Sequence, residues 1–352
     1  MAHENRGPAR RPADVPAREP VGVPVGAPEW AAPALSALLD RAAATRAEAG
    51  DRFPLFAEPG TGVWTTTGRA SWAGGFWAGL LWLRARHTGL ASDREAAARS
   101  TGRLANRLDA DTVTRGLIFW YGTALADTEE AAALRDRAAL ACRAAYDPVP
   151  GVVPWGAAFG GPRLLARADG VPGTVPLLAA PAPEVAGSHL RRHLELCLGT
   201  GSFRWSWQYE GAAGWIPRDD PPSGWSRGRA WLLLAVADAA HRLDACDPAE
   251  PVGRLLPGLT VPPADEARPD GPRDTSAAAV TAVALLKLGR RDEAVTLLDA
   301  LVHGHLTADG RLLNGCHDLG AGTATRHELI WGSFFLAYAL AVLTGLVDPH
   351  TA

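Results

Sequence analysis

Cysteine is scarce in this chain of 352 residues: Cys142, Cys197, Cys246 and Cys316 are widely spaced, with no Cys-x-x-Cys pair. That excludes a zinc ribbon or a disulfide-stapled scaffold, and the four are read as reduced, mostly buried thiols. Positive charge is not in surplus either. Lys and Arg number 35 against 38 Asp and Glu, for a net charge of −3 and a pI near 6.4. Nucleic acid and anionic membranes are therefore excluded as default partners. The first residues, through Arg10-Arg11-Pro12, lack the apolar core of a secretory signal, and no later segment reads as a membrane span. A cytoplasmic protein is expected, with a disordered tail over 1–27 and one domain over 28–352. No phosphate-binding loop is present: Gly199-Thr-Gly201 leads into a polar turn, not a helix. No cofactor is expected.

Runs of β-branched residues are few, and Ala, Leu, Arg and Glu dominate from Pro28 onward. That vocabulary is helical. The spacing predicts helices near 30–48, 74–88, 94–108, 115–126, 129–146, 183–198, 226–243, 275–288, 291–303 and 327–345. Leu134, Ala138, Cys142 and Ala145 share one face, as do Ala277, Val280, Ala284, Leu285 and Leu288. Asp127-Thr128 and Asp274-Thr275-Ser276 read as helix N-caps. Long Gly- and Pro-rich connectors alternate with these helices, and a body of this length holds roughly twelve of them. Twelve invite an all-α (α/α)6 barrel with a cleft formed by loops at one end.

Tryptophan is plentiful where charge and cysteine are not. Trp72-Ala-Gly-Gly-Phe-Trp77 and Gly224-Trp-Ser-Arg-Gly-Arg-Ala-Trp231 each open a predicted helix with indoles, and the second adds Arg227. Helix packing would explain one such run. Two, joined to a guanidinium, predict a pocket for a small ring-shaped molecule with an anionic or electron-rich edge.

Four segments in order carry a resemblance. They are Phe53-Pro…Gly62-Val-Trp64 followed by Ser71-Trp-Ala-Gly-Gly-Phe-Trp-Ala-Gly-Leu-Leu-Trp82; Gly224 to Trp231; Asp274-Thr-Ser-Ala-Ala-Ala279; and Glu328-Leu-Ile-Trp-Gly332. Together the chain resembles the unsaturated glucuronyl hydrolases of glycoside hydrolase family 88, and more distantly family 105. The resemblance implies an (α/α)6 barrel and hydration of a 4,5-unsaturated uronic acid. In that chemistry one aspartate protonates the vinyl ether and activates water, and the hemiketal collapses to release the partner sugar. It also implies Trp72, Trp77, Trp225, Arg227, Trp231 and Trp331 as substrate contacts.

The chain departs from that family where the chemistry lies. The family's HDxGF segment aligns with Val113-Thr-Arg-Gly-Leu117, without the His or the Asp, and Arg115 adds positive charge instead. The segment Asp169-Gly-Val-Pro-Gly-Thr-Val-Pro-Leu-Leu178 resembles the family's DxxMNLPLL run, with Asp169 out of step by one residue. Asp169 is the candidate proton donor; the other reading is a turn-forming Asp before Gly170. Arg204 stands where the family has a histidine, and Ser333 ends the Ile-Trp-Gly run in place of an acid.

Three further constellations carry ionisable side chains. His189 and His193 have metal-ligand spacing, but Arg191 and Arg192 disfavour a cation, and a solvated helix face with no metal is expected. His317 and Asp318, beside Cys316, are alternative acid/base groups. Asp219-Asp220 could hold a proton as paired carboxylates do, or be solvated beside the prolines.

Overall fold

Each stretch of Ala and Leu at helical spacing becomes a helix in the structure, a computed structural model that describes residues 26–199, 201, 203–244, 247–256 and 258–352. Twelve helices are found among the described residues: α1 (Ala31–Ala49), α2 (Gly74–Thr88), α3 (Ala91–Arg103), α4 (Tyr121–Thr123), α5 (Glu129–Ala145), α6 (Thr174–Ala179), α7 (Pro183–Leu198), α8 (Ser226–Arg242), α9 (Ala249–Leu255), α10 (Thr275–Lys287), α11 (Arg291–His305) and α12 (Ile330–Leu343). A π-helical turn, Gly116–Trp120, runs directly into α4. The predicted N-caps are present. Thr128 accepts from the Ala131 amide and Asp274 from the Ser276 amide.

The even-numbered helices form a closed inner ring. In order, α2 packs on α4, the π turn before α4 on α6, α6 on α8, α8 on α10, α10 on α12, and α12 returns to α2. The odd-numbered helices pack outside it: α1 on α12 and α2, α3 on α2, α5 on α6, α7 on α6 and α8, and α11 on α10, with short α9 added beside α8. This is the (α/α)6 barrel. α8, α10 and α12 are buried nearly all round, and α2 over most of its length, because ring helices meet neighbours on several faces. One close join uses glycine. A Cβ on Gly116 would lie 2.2 Å from the Thr174 amide nitrogen, and Gly173 at φ +72° would meet the Gly116 carbonyl, so the π turn and the start of α6 approach backbone to backbone.

Six short strands were not predicted. β1 (Phe53–Ala57) pairs with β2 (Trp64–Thr67) and β6 (Glu328–Leu329), while β4 (Ser206–Tyr209) lies between β3 (Leu165–Arg167) and β5 (Trp215–Arg218), all antiparallel. They sit in the connectors that lead into inner helices. Those connectors carry Trp72, Asp169, Trp225, Asp274 and Glu328 to one end of the ring. Arg41 fastens this end to α1, donating to Glu328 at 3.0 Å and to the Gly62 carbonyl at 2.8 Å. Burial pushes the Glu328 carboxyl up to about 7, against the pull of Arg41.

The tail over 1–25 and Cys246 lie outside the described residues. The other three cysteines are buried and unpaired. No helix among the described residues is long and apolar enough to cross a membrane.

Candidate active site

Arg227 is the hub of the mouth. It lies in the first turn of α8, only 4% exposed, and its guanidinium donates to Asp274, to the Cys316 carbonyl at 2.6 Å and to the His317 carbonyl at 2.9 Å. The same group stands 5.3 Å from the Trp225 ring and 5.6 Å from Trp331. Asp274 is fully buried, and its other oxygen accepts the Ser276 hydroxyl at 2.6 Å and the Ser276 amide at 3.1 Å. A desolvated cation with an equal counter-charge and two carbonyls has little left for a ligand. Arg227 thus ties α8, α10 and the 315–327 loop together.

Next to this hub the aromatics converge. The Trp72 and Trp331 rings are 4.7 Å apart, with His317 5.5 Å from Trp331 and 6.3 Å from Trp72, and Phe56 5.6 Å from His317. Trp331 is fully buried, so Trp72, Trp225 and His317 are the partly exposed faces. Neither Trp331 Nε1 nor His317 Nδ1 has a partner among the described residues. Burial lowers the pKa of His317, and Arg227 lowers it further against Asp318 and Asp274, so the imidazole is neutral at pH 7. Ser333, in α12, is buried with an unpartnered hydroxyl.

A second charge cluster faces the mouth from β3. Asp169 is half-buried and pairs with Arg167, Nε to Oδ1 at 3.2 Å and Nη2 to Oδ2 at 3.5 Å, while the guanidinium lies 4.8 Å from the Trp155 ring. Burial opposes the charge on Arg167, yet Asp169, then Asp220 and Asp318, raise its pKa. Three of the predicted acids thus act electrostatically on one guanidinium that sequence reading missed, and Asp169 is the one bonded to it. The local signal was slight: the two are only two residues apart, Arg167 ending β3 and Asp169 lying in the 3-10 turn Ala168–Gly170 that follows. Asp219 and Asp220 are exposed, and Asp219 lies 3.7 Å from Arg204, itself about a third exposed. Asp318 is exposed too, accepting the Ala321 amide at 2.9 Å across the turn of its loop.

Three predicted contacts are placed elsewhere. Trp77 packs toward α3, against a small cavity of about 60 Å³ with Leu81 and Ser100. Trp231 is 1% exposed and stacks at 14° on Phe76 in the barrel interior. Arg115 is buried and donates to the carbonyls of Leu108, at 2.9 Å, and Thr112. A cavity of about 880 Å³ between α7, the end of α8 and α9 contains none of the predicted site residues.

The expectation of a solvated face at His189 and His193 is corrected. Both are buried: His189 accepts the Val153 amide at Nδ1 (3.1 Å), sits 3.3 Å from the Gly170 carbonyl at Nε2, and receives no water-facing role. His193 donates to the His189 carbonyl at 2.7 Å. These bonds hold the backbone beside Asp169, which is why the side chains turn inward. Burial lowers both imidazoles, His193 to about 4. The unfolded chain, with imidazoles near pKa ~6.5, then binds the extra protons. Stability is full above that value and falls as pH drops toward 4, by up to about 1.4 kcal/mol per pH unit for each ring. Urea unfolding at pH 7 and pH 5 checks this, and His193→Gln should flatten the loss. An equal slope in the variant would assign the acid sensitivity to other groups. No group of three or more His, Cys, Asp or Glu suited to a metal occurs among the described residues.

The chain is thus an (α/α)6 barrel with aromatic side chains and paired carboxylates and guanidiniums at one end. Among known proteins the chain is 25% identical over 345 residues to the unsaturated glucuronyl hydrolase of Bacillus sp. strain GL1, covering 83% of this chain and 90% of that one. The crystal structure of that hydrolase, described as responsible for degradation of glycosaminoglycan, matches with a TM-score of 0.80 at 24% identity, over 89% of this chain and 96% of the other. The unsaturated glucuronyl hydrolase of Streptococcus agalactiae matches at 0.78 and 17% identity, over 90% and 92%. A variant of the latter, complexed with dGlcA-GalNAc6S, matches at 0.72 and 16% identity, over 90% and 92%. No family model matches the chain. The chain is a relative of the unsaturated glucuronyl hydrolases, as its four motifs implied.

Proposed function

We propose that this chain is a divergent enzyme of the unsaturated glucuronyl hydrolase kind. Its substrate is a small, ring-shaped, acidic sugar or a similar unsaturated molecule, and its chemistry is acid/base. Asp169 is the proton-transferring carboxyl, delivering a proton to the double bond and then drawing one from the water that adds beside it. Trp72 and Trp225 offer faces to the ring, and Trp331 supports Trp72 from below. The observation that carries this reading is the position of Asp169. It is the half-buried acid at the aromatic end of the barrel, whereas Asp219, Asp220 and Asp318 are exposed. A cytoplasmic location agrees with the unpaired, buried cysteines.

Purified protein is expected to release sugar from a disaccharide that carries a 4,5-unsaturated glucuronyl residue, followed by mass spectrometry and by loss of the conjugated double bond.

A second reading has its own observation. Thr114 stands at the family's other aspartate position, buried with its hydroxyl 2.9 Å from that of Thr112, and the neighbouring Arg115 is fastened to backbone carbonyls, so no acid has moved into that role. The pocket would then serve a hydratase, lyase or cyclisation reaction on a non-carbohydrate, or bind sugar without catalysis. Saturable binding of the disaccharide with no product would favour this second reading.

A further inference from the structure

We propose that Arg167 reads the ligand's carboxylate, and that it does so by exchange: the incoming anion takes the guanidinium from Asp169, which then takes up a proton from solvent. This rests on the reading above that the mouth receives an acidic ring.

The other guanidiniums at this end are committed. Arg227 is closed by Asp274 and two carbonyls, and Arg115 by the carbonyls of Leu108 and Thr112. Arg204 lies at the rim, donating to its neighbour Phe203 at 3.4 Å. Arg167 differs in three ways. Its side chain is four-fifths buried, its plane is steadied by Trp155, and its only acceptor among the described residues is Asp169. Asp169 engages Nε and one hydrogen of Nη2, leaving both Nη1 hydrogens and the second of Nη2. That Nη1/Nη2 edge suits a bidentate carboxylate.

The existing pair is also loose. At 3.2 and 3.5 Å it is longer than the 2.7–2.9 Å of a good charge-assisted bond. Nη2 serves both edges, so a ligand carboxylate that takes Nη1 and Nη2 squarely turns the guanidinium away from so loose a partner.

Exchange has a proton consequence. The groups facing Asp169 are Arg167 on β3, then His193 and Cys197 on α7, with His189 of α7 holding the Gly170 carbonyl beside it. Burial keeps both imidazoles and the thiol uncharged. Asp220, from the connection after β5, and Asp318, from the 315–327 loop, face the same guanidinium and add only negative charge. With Arg167 surrendered to a second carboxylate, Asp169 has no other ion-pair partner among the described residues. Asp220 and Asp318 are exposed, whereas Asp169 is four-fifths buried beside the incoming anion, and it is there that the proposed proton goes. The acid that the proposed chemistry requires would therefore be armed by its own substrate.

Calorimetry tests this with the unsaturated glucuronyl disaccharide and its methyl ester as the uncharged counterpart. Wild-type protein should bind the acid with uptake of about one proton per ligand, and more tightly as pH falls, while ester binding stays level. Asp169→Asn removes the competitor, so it should tighten acid binding about tenfold and abolish proton uptake. Arg167→Gln should weaken acid binding about tenfold or more and leave the ester unaffected. Acid binding no tighter in Asp169→Asn than in wild type overturns the exchange, even where Arg167→Gln fails to fold. Sugar release measured on the same samples separates the two proposals. Proton-coupled binding without turnover defeats the catalytic reading alone, and turnover with pH-independent binding defeats the exchange alone.

Discussion

Replacing Asp169 by asparagine is expected to lower turnover of the true substrate by about 10²–10⁴-fold, the usual worth of a positioned general acid or base. The substitution keeps the size and shape of the side chain and removes its ability to exchange a proton. It also breaks an ion pair whose two members are each 20% exposed, which contributes at most about 1 kcal/mol. Loss of activity therefore cannot be charged to loss of the fold, and the melting transition should barely move. Ligand-induced change in tryptophan fluorescence should survive, because among the described residues no hydrogen bond joins Trp72 or Trp225 to this carboxyl, whose partner is Arg167. Full activity in the variant would remove Asp169 from the mechanism. Asp318, Asp220 and neutral His317 would then be the next groups to replace.

What the sequence made legible was largely what helical periodicity and local capping determine. Five of the six inner elements, the caps at Thr128 and Asp274, and the order of the four motifs could all be read from neighbouring residues. α6 could not, because six residues with Pro176 among them carry no amphipathic period, and α9 is hardly longer. The strands escaped for a similar reason: two to five residues, interrupted by Pro54 and Pro217, give too little alternation. The site was harder still. That Arg227 would be neutralised depends on Asp274, 47 positions away, and on carbonyls about 90 positions away, none of which leaves a local trace. A motif arginine beside tryptophans looked like a ligand-reading group, and the structure makes it a joint. The histidines on α7 looked solvated because arginines separate them in sequence. On the helix both face inward, where Val153 and Gly170 partner His189 and the His189 carbonyl partners His193.

The joint itself sets the second large effect. Asp274→Asn is expected to destabilise the fold by about 3–5 kcal/mol, the cost of leaving a buried charge without its counter-ion. Asparagine keeps the cap, since its side-chain oxygen can still accept the Ser276 amide, so the substitution isolates the charge from the capping. Arg227 would remain at 4% exposure, held only by neutral groups: the carbonyls of Cys316 and His317 and the Ser276 hydroxyl at 3.4 Å. The damage should not stay local. Through those carbonyls Arg227 fixes the loop that presses His317 against Trp72 and Trp331, so ligand affinity should fall with stability. Equilibrium unfolding in urea measures the first effect and disaccharide titration the second. Combining Asp274→Asn with Arg227→Met should recover part of the loss, because an apolar side chain in the same space no longer needs a counter-ion. A loss below about 1 kcal/mol would mean that water reaches the pair in solution. The mouth would then owe its shape to the aromatic contacts, with Trp72 on Trp331 as the contact to remove next.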